Sequence, residues 1–279
     1  MADRYRLEVS IGRGAVGEVY RAEHTRLRTP IAVKLLHPRE GTSDGLNERF
    51  LREAQASAAI GGPNVVAVSD FGFDRGTPYL AMELLSGESL AQRLVREPRL
   101  SPATSLDVLT QVSRAVARAH RRGIVHRDLK PSNVYLAHDE DQSRDQVKVL
   151  DFGIAKVLEG APSALVGATL TETGVVLGTT QYMSPEQARG TKEVDHRSDL
   201  WALSILGFQC LTGRLPYEAA SHTDLLIAIA TQPMPKPSEI ARELPPSVDA
   251  WFARGTRRSP DDRFQTATEF AEELARALA

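Results

Sequence analysis

Between His126 and Asn133, in His126-Arg127-Asp128-Leu129-Lys130-Pro131-Ser132-Asn133, the chain sets a carboxylate, an ammonium and an amide within six residues. Eighteen residues past Asn133 it adds a second carboxylate, in Asp151-Phe152-Gly153. Phosphoryl transfer from a metal-bound nucleotide uses such a set. One carboxylate orients the attacking hydroxyl, a cation stabilises the migrating group, and an amide and another carboxylate hold the metal. Upstream, Gly12-Arg13-Gly14-Ala15-Val16-Gly17-Glu18-Val19 spaces three glycines so that backbone amides can approach phosphates without side-chain clash. A dinucleotide fold would need a helix directly after the last glycine. Here Glu18-Val19-Tyr20-Arg21 reads as strand instead. Lys34, in Ala32-Val33-Lys34, is flanked by apolar residues, and Glu53 lies on the inward face of the helix that follows. Glu48 is its rival. Five residues apart, the two sit about 140° around a helix, so only one faces inward, and Glu53 is favoured.

The elements that must position these groups follow from periodicity. Arg6–Val9, Glu18–Arg21 and Ile31–Leu36 alternate or run apolar and are rich in β-branched residues, as strands do. From about Asn47 to Ile60 the pattern is helical, with Phe50, Glu53, Ser57 and Ile60 on one face and Gly61-Gly62 as the stop. Val65–Phe71 and Pro78–Leu84 complete a five-stranded antiparallel sheet with one helix. A mainly helical second part begins near Gly87. Ser101-Pro102 caps a helix whose stripe is Leu106, Leu109, Val112 and Val116. Val134–Leu136 and Val147–Leu150 read as a short hairpin. Residues 151–186 show little regular pattern, which in a compact domain marks function or disorder. Helices continue to Leu278, with a proline-rich loop from Pro233 to Pro246.

Composition bounds the rest. The chain has 279 residues, 42% hydrophobic and 25% charged, with a net charge of −2. That suits two packed lobes and offers no basic surface for nucleic acid or an anionic membrane. Cys210 is the only cysteine and sits in an apolar run, so a buried, inert thiol is expected. No window supplies the ~18 apolar residues of a membrane span, and the N-terminus does not read as a signal peptide. A cytoplasmic location, as a free domain or the cytoplasmic part of a longer protein, is the expectation.

Taken together, His-Arg-Asp-Leu-Lys-Pro-Ser-Asn, Asp-Phe-Gly, the glycine-rich string and Gly178-Thr179-Thr180-Gln181-Tyr182-Met183-Ser184-Pro185-Glu186 resemble a bacterial eukaryotic-like (Hanks-type) Ser/Thr protein kinase catalytic domain. The resemblance runs from about Tyr5 to Leu278. It implies an α+β, two-lobed protein-kinase fold over 1–279, with an N-lobe and hinge at about 5–85 and a mainly helical C-lobe at about 86–278. It implies catalysis by Asp128 and Lys130, a Lys34–Glu53 pair on the nucleotide phosphates, and Thr179 beside Asp128. Mg²⁺, or Mn²⁺ in its place, would be held by Asn133 and Asp151. ATP would lie against Ile11, Gly12, Arg13, Gly14, Ala15, Val16, Gly17, Glu18, Val19, Ala32, Met82, Glu83, Leu85 and Tyr135. Glu186 would pair with Arg263, Asp199 would cap the catalytic loop, and His126 would pack beneath Phe152. Autophosphorylation at Thr171 or Thr173 with Arg127 as anchor is expected, and a homodimer would allow it in trans. The partners implied are ATP and proteins with Ser/Thr acceptors. The alternative is a pseudokinase scaffold, which the intact Lys34, Glu53, Asp128, Asn133 and Asp151 disfavour. Departures from the pattern are Gly61-Gly62 where many relatives carry histidine before Pro-Asn, Ser57 near Phe152, Ser204 where glycine is common, and Ser132 where a carboxylate often serves basic substrates.

Overall fold

The computed structural model describes residues 4–14, 17–37, 44–138, 145–152, 180–191 and 194–279, with backbone alone at 44–47. β1 (Tyr5–Arg13), β2 (Gly17–His24), β3 (Pro30–Leu36), β4 (Val68–Asp74) and β5 (Thr77–Met82) form one antiparallel sheet in the order β1-β2-β3-β5-β4. The register places Val19 opposite Lys34 and Lys34 opposite Leu80, and it sets Ala32 opposite Met82. Directly opposed residues share a face, as do residues two apart on one strand. Val19, Ala32, Lys34, Leu80 and Met82 therefore line one face together. Helix α1 (Asp44–Ile60) covers part of that face, packing Phe50 and Ala54 against Leu36 and Leu80. Tyr5, Ala22, Val33, Tyr79 and Ala81 form a second small core on the other face.

A three-stranded sheet, β6 (Gly87–Ser89), β7 (Val134–Ala137) and β8 (Gln146–Val149), roofs the helical part. Its described helices are α2 (Leu90–Arg96), α3 (Pro102–His120), α4 (Pro185–Ala188), α5 (Arg197–Thr212), α6 (His222–Thr231), α7 (Pro237–Ile240), α8 (Pro246–Gly255) and α9 (Ala267–Leu278). As expected, Ser101 Oγ caps α3 by accepting the Thr104 amide at 3.1 Å, and Pro102 opens the helix. Helix α5 is buried along nearly its whole length, including Cys210, whose thiol pKa burial pushes up to about 12. Ser204 fits inside this core because Gly255 faces it. A Cβ on Gly255 would lie 2.1 Å from Ser204 Oγ.

Two expectations are corrected. β4 begins at Val68 and not at Val65, because Val65 is drawn into the helical part's core and Val66 donates to the Val149 carbonyl at 3.1 Å. The proline-rich stretch is not all loop. Pro237 stands at the start of α7, where its missing N–H costs nothing. Among the described residues no helix is long and apolar enough to cross a membrane.

Candidate active site

The catalytic-loop residues are placed from below. Asp199, in the first turn of α5, is 1% exposed and accepts the amides of His126 and Arg127, each at 2.9 Å, plus His120 Nε2 at 2.7 Å. Burial would raise its carboxyl pKa. The His120 hydrogen bond and charge, with help from His126, outweigh that and hold it below the usual range. The cap expected of Asp199 is thus formed. His126 lies buried with its ring 4.8 Å from that of Phe152, and its Nε2 meets the Leu150 carbonyl at 2.9 Å. It packs the loop and reaches no solvent.

Above this base the chemistry-bearing groups gather in two adjoining sets. Lys130 Nζ sits 2.9 Å from Asp128 Oδ2. Asn133 Nδ2 donates to the Asp128 carbonyl at 2.7 Å and approaches Asp128 Oδ2 at 3.3 Å. The Asn133 carbonyl accepts the Leu150 amide at 2.9 Å, which brings Asp151 alongside. Arg127 and Asp151 both adopt left-handed backbone, φ 67° and 59°. Non-glycine residues rarely do so, and such strain gathers at functional sites.

The expected Lys34–Glu53 pair is not formed. Lys34 Nζ bonds Asp151 Oδ2 at 2.6 Å, and among the described residues Glu53 makes no ion pair. The Lys34 side chain is 9% exposed, so its charge needs a counter-charge. Asp151, turned by its left-handed backbone, is the carboxylate within reach.

The glycines of the first loop separate into two kinds. A Cβ on Gly17 would stand 2.1 Å from the Leu35 carbonyl, so packing requires glycine there. At Gly12 and Gly14 a Cβ would meet nothing within 4 Å among the described residues. Packing does not explain those two. Ile11 is exposed, Arg13 pairs with Glu18, and Ser10 and Tyr20 also bond Glu18. These bonds hold the Glu18 carboxyl at a pKa of about 2, the Ser10 hydroxyl contributing most.

At the hinge, Met82 ends β5, and Glu83 exchanges backbone and side-chain bonds with Ala67. Leu85 is half-buried just beyond. Tyr135 lies on β7 with its hydroxyl donating to the Gly87 carbonyl at 2.8 Å. Glu186 and Arg263 form a two-pronged buried pair, both bonds 2.7 Å. Ala15, Val16, Thr171, Thr173 and Thr179 lie outside the described residues.

Sequence reasoning missed several partners. Lys148 Nζ binds Glu83 at 2.8 Å, tying β8 to the hinge. Gln187 Nε2 donates to the Arg127 carbonyl at 2.8 Å, and His120 supports Asp199. For Lys148 a signal existed, a charged residue between Val147 and Val149 three positions before Asp151. For the other two nothing in the local pattern pointed to them.

The donor set suits a hard divalent cation. The Asn133 amide spends its nitrogen on Asp128, which leaves oxygen, and Asp151 is a carboxylate. Among the described residues no group of three or more His, Cys, Asp or Glu could hold a metal by itself. Two oxygen ligands completed by phosphates are the usual arrangement for Mg²⁺.

Residues 5–274 match the model of the protein kinase domain. The chain belongs to that family. It is 37% identical over 277 residues to the serine/threonine-protein kinase Pkn3 of Myxococcus xanthus, covering 98% of this chain and 50% of that one. It is 36% identical over 274 residues to PknH of Mycobacterium tuberculosis, covering 98% of this chain and 42% of the other. The chain thus spans half or less of these relatives' length. The crystal structure of the Mycobacterium tuberculosis PknI kinase domain superposes with a TM-score of 0.76 at 28% identity, over 98% of this chain and 96% of the other. Use of ATP, a divalent metal and a protein substrate goes with the family.

Proposed function

We propose that the chain is a protein serine/threonine kinase that transfers the γ-phosphoryl group of Mg-ATP to Ser/Thr hydroxyls, its own included. The observation that carries this is the gathering of Lys130, Asp128 and Asn133 beside the Asp151–Lys34 pair, held from below by Asp199. Asp128 orients the acceptor hydroxyl and takes its proton. Lys130 stabilises the phosphoryl oxygens as they leave ADP. Asn133 and Asp151 would hold the cation, which when bound neutralises phosphate charge. Lys34 steadies the α- and β-phosphates. In turnover it exchanges Asp151 for Glu53, so that Asp151 is released to the metal. Gly12 and Gly14 leave backbone free to cover the phosphates, and Val19, Ala32 and Met82 present the apolar face that adenine needs, with Tyr135 beneath and Glu83 and Leu85 at its edge. Thr179 shapes the acceptor side for Ser and Thr. Autophosphorylation falls on Thr171, Thr173 or both. Arg127, whose guanidinium otherwise meets only the Val194 carbonyl at 3.3 Å among the described residues, is the phosphate's anchor.

The test is incubation of the purified chain with γ-labelled Mg-ATP, followed by phosphoamino-acid analysis and mapping. Label on Ser or Thr that disappears in Asp128→Asn is the expected result. A chain that binds ATP and transfers nothing would make it a scaffold. An unmodified 154–177 segment at full activity would remove the regulatory threonines.

A further inference from the structure

Helix α1 belongs to two cores. Phe50 and Ala54 pack under the five-stranded sheet, whereas Ile60, its last residue, is fully buried in the core built by α3, α5 and the three-stranded sheet. The last carbonyls of a helix have no partner within it, and a cation beside them is favourable. Helix α1 has no basic residue in its own last turn. Arg118 supplies one from α3, its Nε donating to the Ile60 carbonyl at 2.7 Å.

The two residues that follow make room for that side chain. Gly61 and Gly62 both take left-handed backbone, φ 56° and 105°. A Cβ on Gly62 would lie 2.9 Å from Arg118 Nε and 3.0 Å from its Cδ. The departure noted at this point, glycine in place of histidine before Pro-Asn, thus has a physical counterpart. Asn64 extends the attachment, its Nδ2 donating at 3.0 Å to both Gln111 Oε1 and the Val147 carbonyl. The C-terminal end of α1 is therefore fixed to the helical lobe, while its middle rides on the sheet.

Glu53 lies two turns from this fixed end, about 10 Å along the axis. In the structure it is not on Lys34, which holds Asp151. We propose that Arg118 is a positioning residue for phosphoryl transfer. By clamping the Ile60 carbonyl over Gly62, it fixes the end about which α1 turns when Glu53 takes Lys34 from Asp151. With the clamp in place, movement of α1 becomes a swing with one end held, and Glu53 has a single arc to follow. Without it the helix can also slide, and Glu53 meets Lys34 in fewer of the states available.

This inference rests on the kinase reading above, so wild-type transfer is measured first. A wild type that transfers nothing would end that reading and this one with it. Given an active wild type, Arg118→Ala should lower kcat about 10-fold with ATP KM within about 2-fold. Arg118→Lys, whose ammonium reaches the same carbonyl, should recover to within about 3-fold. In a Glu53→Gln background Arg118→Ala should cost nothing further, because the clamp acts through Glu53. A helix cap of purely structural worth would instead lower turnover equally in both backgrounds. That result, or an unchanged kcat in Arg118→Ala, overturns the proposal. If Arg118→Ala does not fold, Gly62→Ala tests the same contact from the other side with the charge retained. It should show the same Glu53-dependent loss, and wild-type turnover there is equally fatal.

Discussion

Lys34 Nζ and Asp151 Oδ2 stand 2.6 Å apart across 117 residues of sequence, joining the sheet of the upper lobe to the end of β8 in the lower. On the proposed function the lysine serves the phosphates and the carboxylate the cation, so their losses should overlap. Lys34→Met and Asp151→Asn should each lower kcat by about 10²-fold or more, and the double variant should be hardly worse than either alone. Single-turnover transfer rates for the four proteins decide this. Losses that multiply would mean that the residues work independently.

The Glu186–Arg263 pair is the strongest structural contact predicted from the sequence. Arg263 is wholly buried and also stacks 5.1 Å over Trp201. Leaving such a charge alone costs about 3–5 kcal/mol, so Glu186→Gln should lower the melting temperature sharply. Burial by itself would raise the Glu186 pKa. The bonds and charge of Arg263 and the Ser198 hydroxyl outweigh it and set the pKa below the ordinary value. A depressed native pKa stabilises the fold above the unfolded value, near pH 4.3, and that stability fades as pH falls through the native one. The gap between wild type and Glu186→Gln should be constant above about pH 5 and close in acid. Denaturant titrations across pH would show it, and a gap independent of pH would contradict it.

Gly17 and Gly12 should respond oppositely to alanine. Gly17→Ala drives a Cβ onto the Leu35 carbonyl and should destabilise by about 1–3 kcal/mol or more. Gly12→Ala has space and should keep the wild-type melting temperature while raising ATP KM, since the phosphates would meet a methyl group. Thermal melts beside ATP titrations separate the two. An unchanged KM in Gly12→Ala would remove that glycine from the nucleotide site.

Tyr135 hydroxyl anchors on the Gly87 carbonyl, just past the hinge. Tyr135→Phe should loosen that contact and change ATP KM by about 2–5-fold at near-constant kcat, because a net hydrogen bond is worth about 1 kcal/mol. Tyr135→Leu should behave similarly. An effect confined to kcat would show that the ring does not lie under adenine.

Much of the fold was legible because the sheet's apolar alternation and the Ser101-Pro102 helix start are local signals. The catalytic-loop residues were legible because their spacing within eight residues is itself the chemistry. The partner of Lys34 was not. Glu53 faces inward on α1, but the choice between it and Asp151 depends on how the two lobes meet, and no periodicity encodes that. The start of β4 was misread for the same reason. Val65 and Val66 look like strand and are drawn away by a neighbour, Val149, more than eighty residues on. Arg118 was invisible in kind, and Lys148 offered only its odd place between Val147 and Val149. On a helix and a strand they look like ordinary solvated cations until the opposite element is in place.

The distance along the chain between Glu186 and Arg263 sets an order of events during synthesis. The carboxylate leaves the ribosome 77 residues ahead of its guanidinium, roughly 4–15 s at ordinary elongation rates. Through that interval the Glu186 carboxylate has, among the described residues, Ser198 but not Arg263 to bond, so the short helix α4 that bears it lacks its main attachment. The attachment of α4 beside the catalytic loop is therefore completed only once Arg263 has emerged. A nascent chain cut short before Arg263 would carry Lys34, Asp128, Lys130, Asn133 and Asp151 and still lack the contact that holds α4 in place.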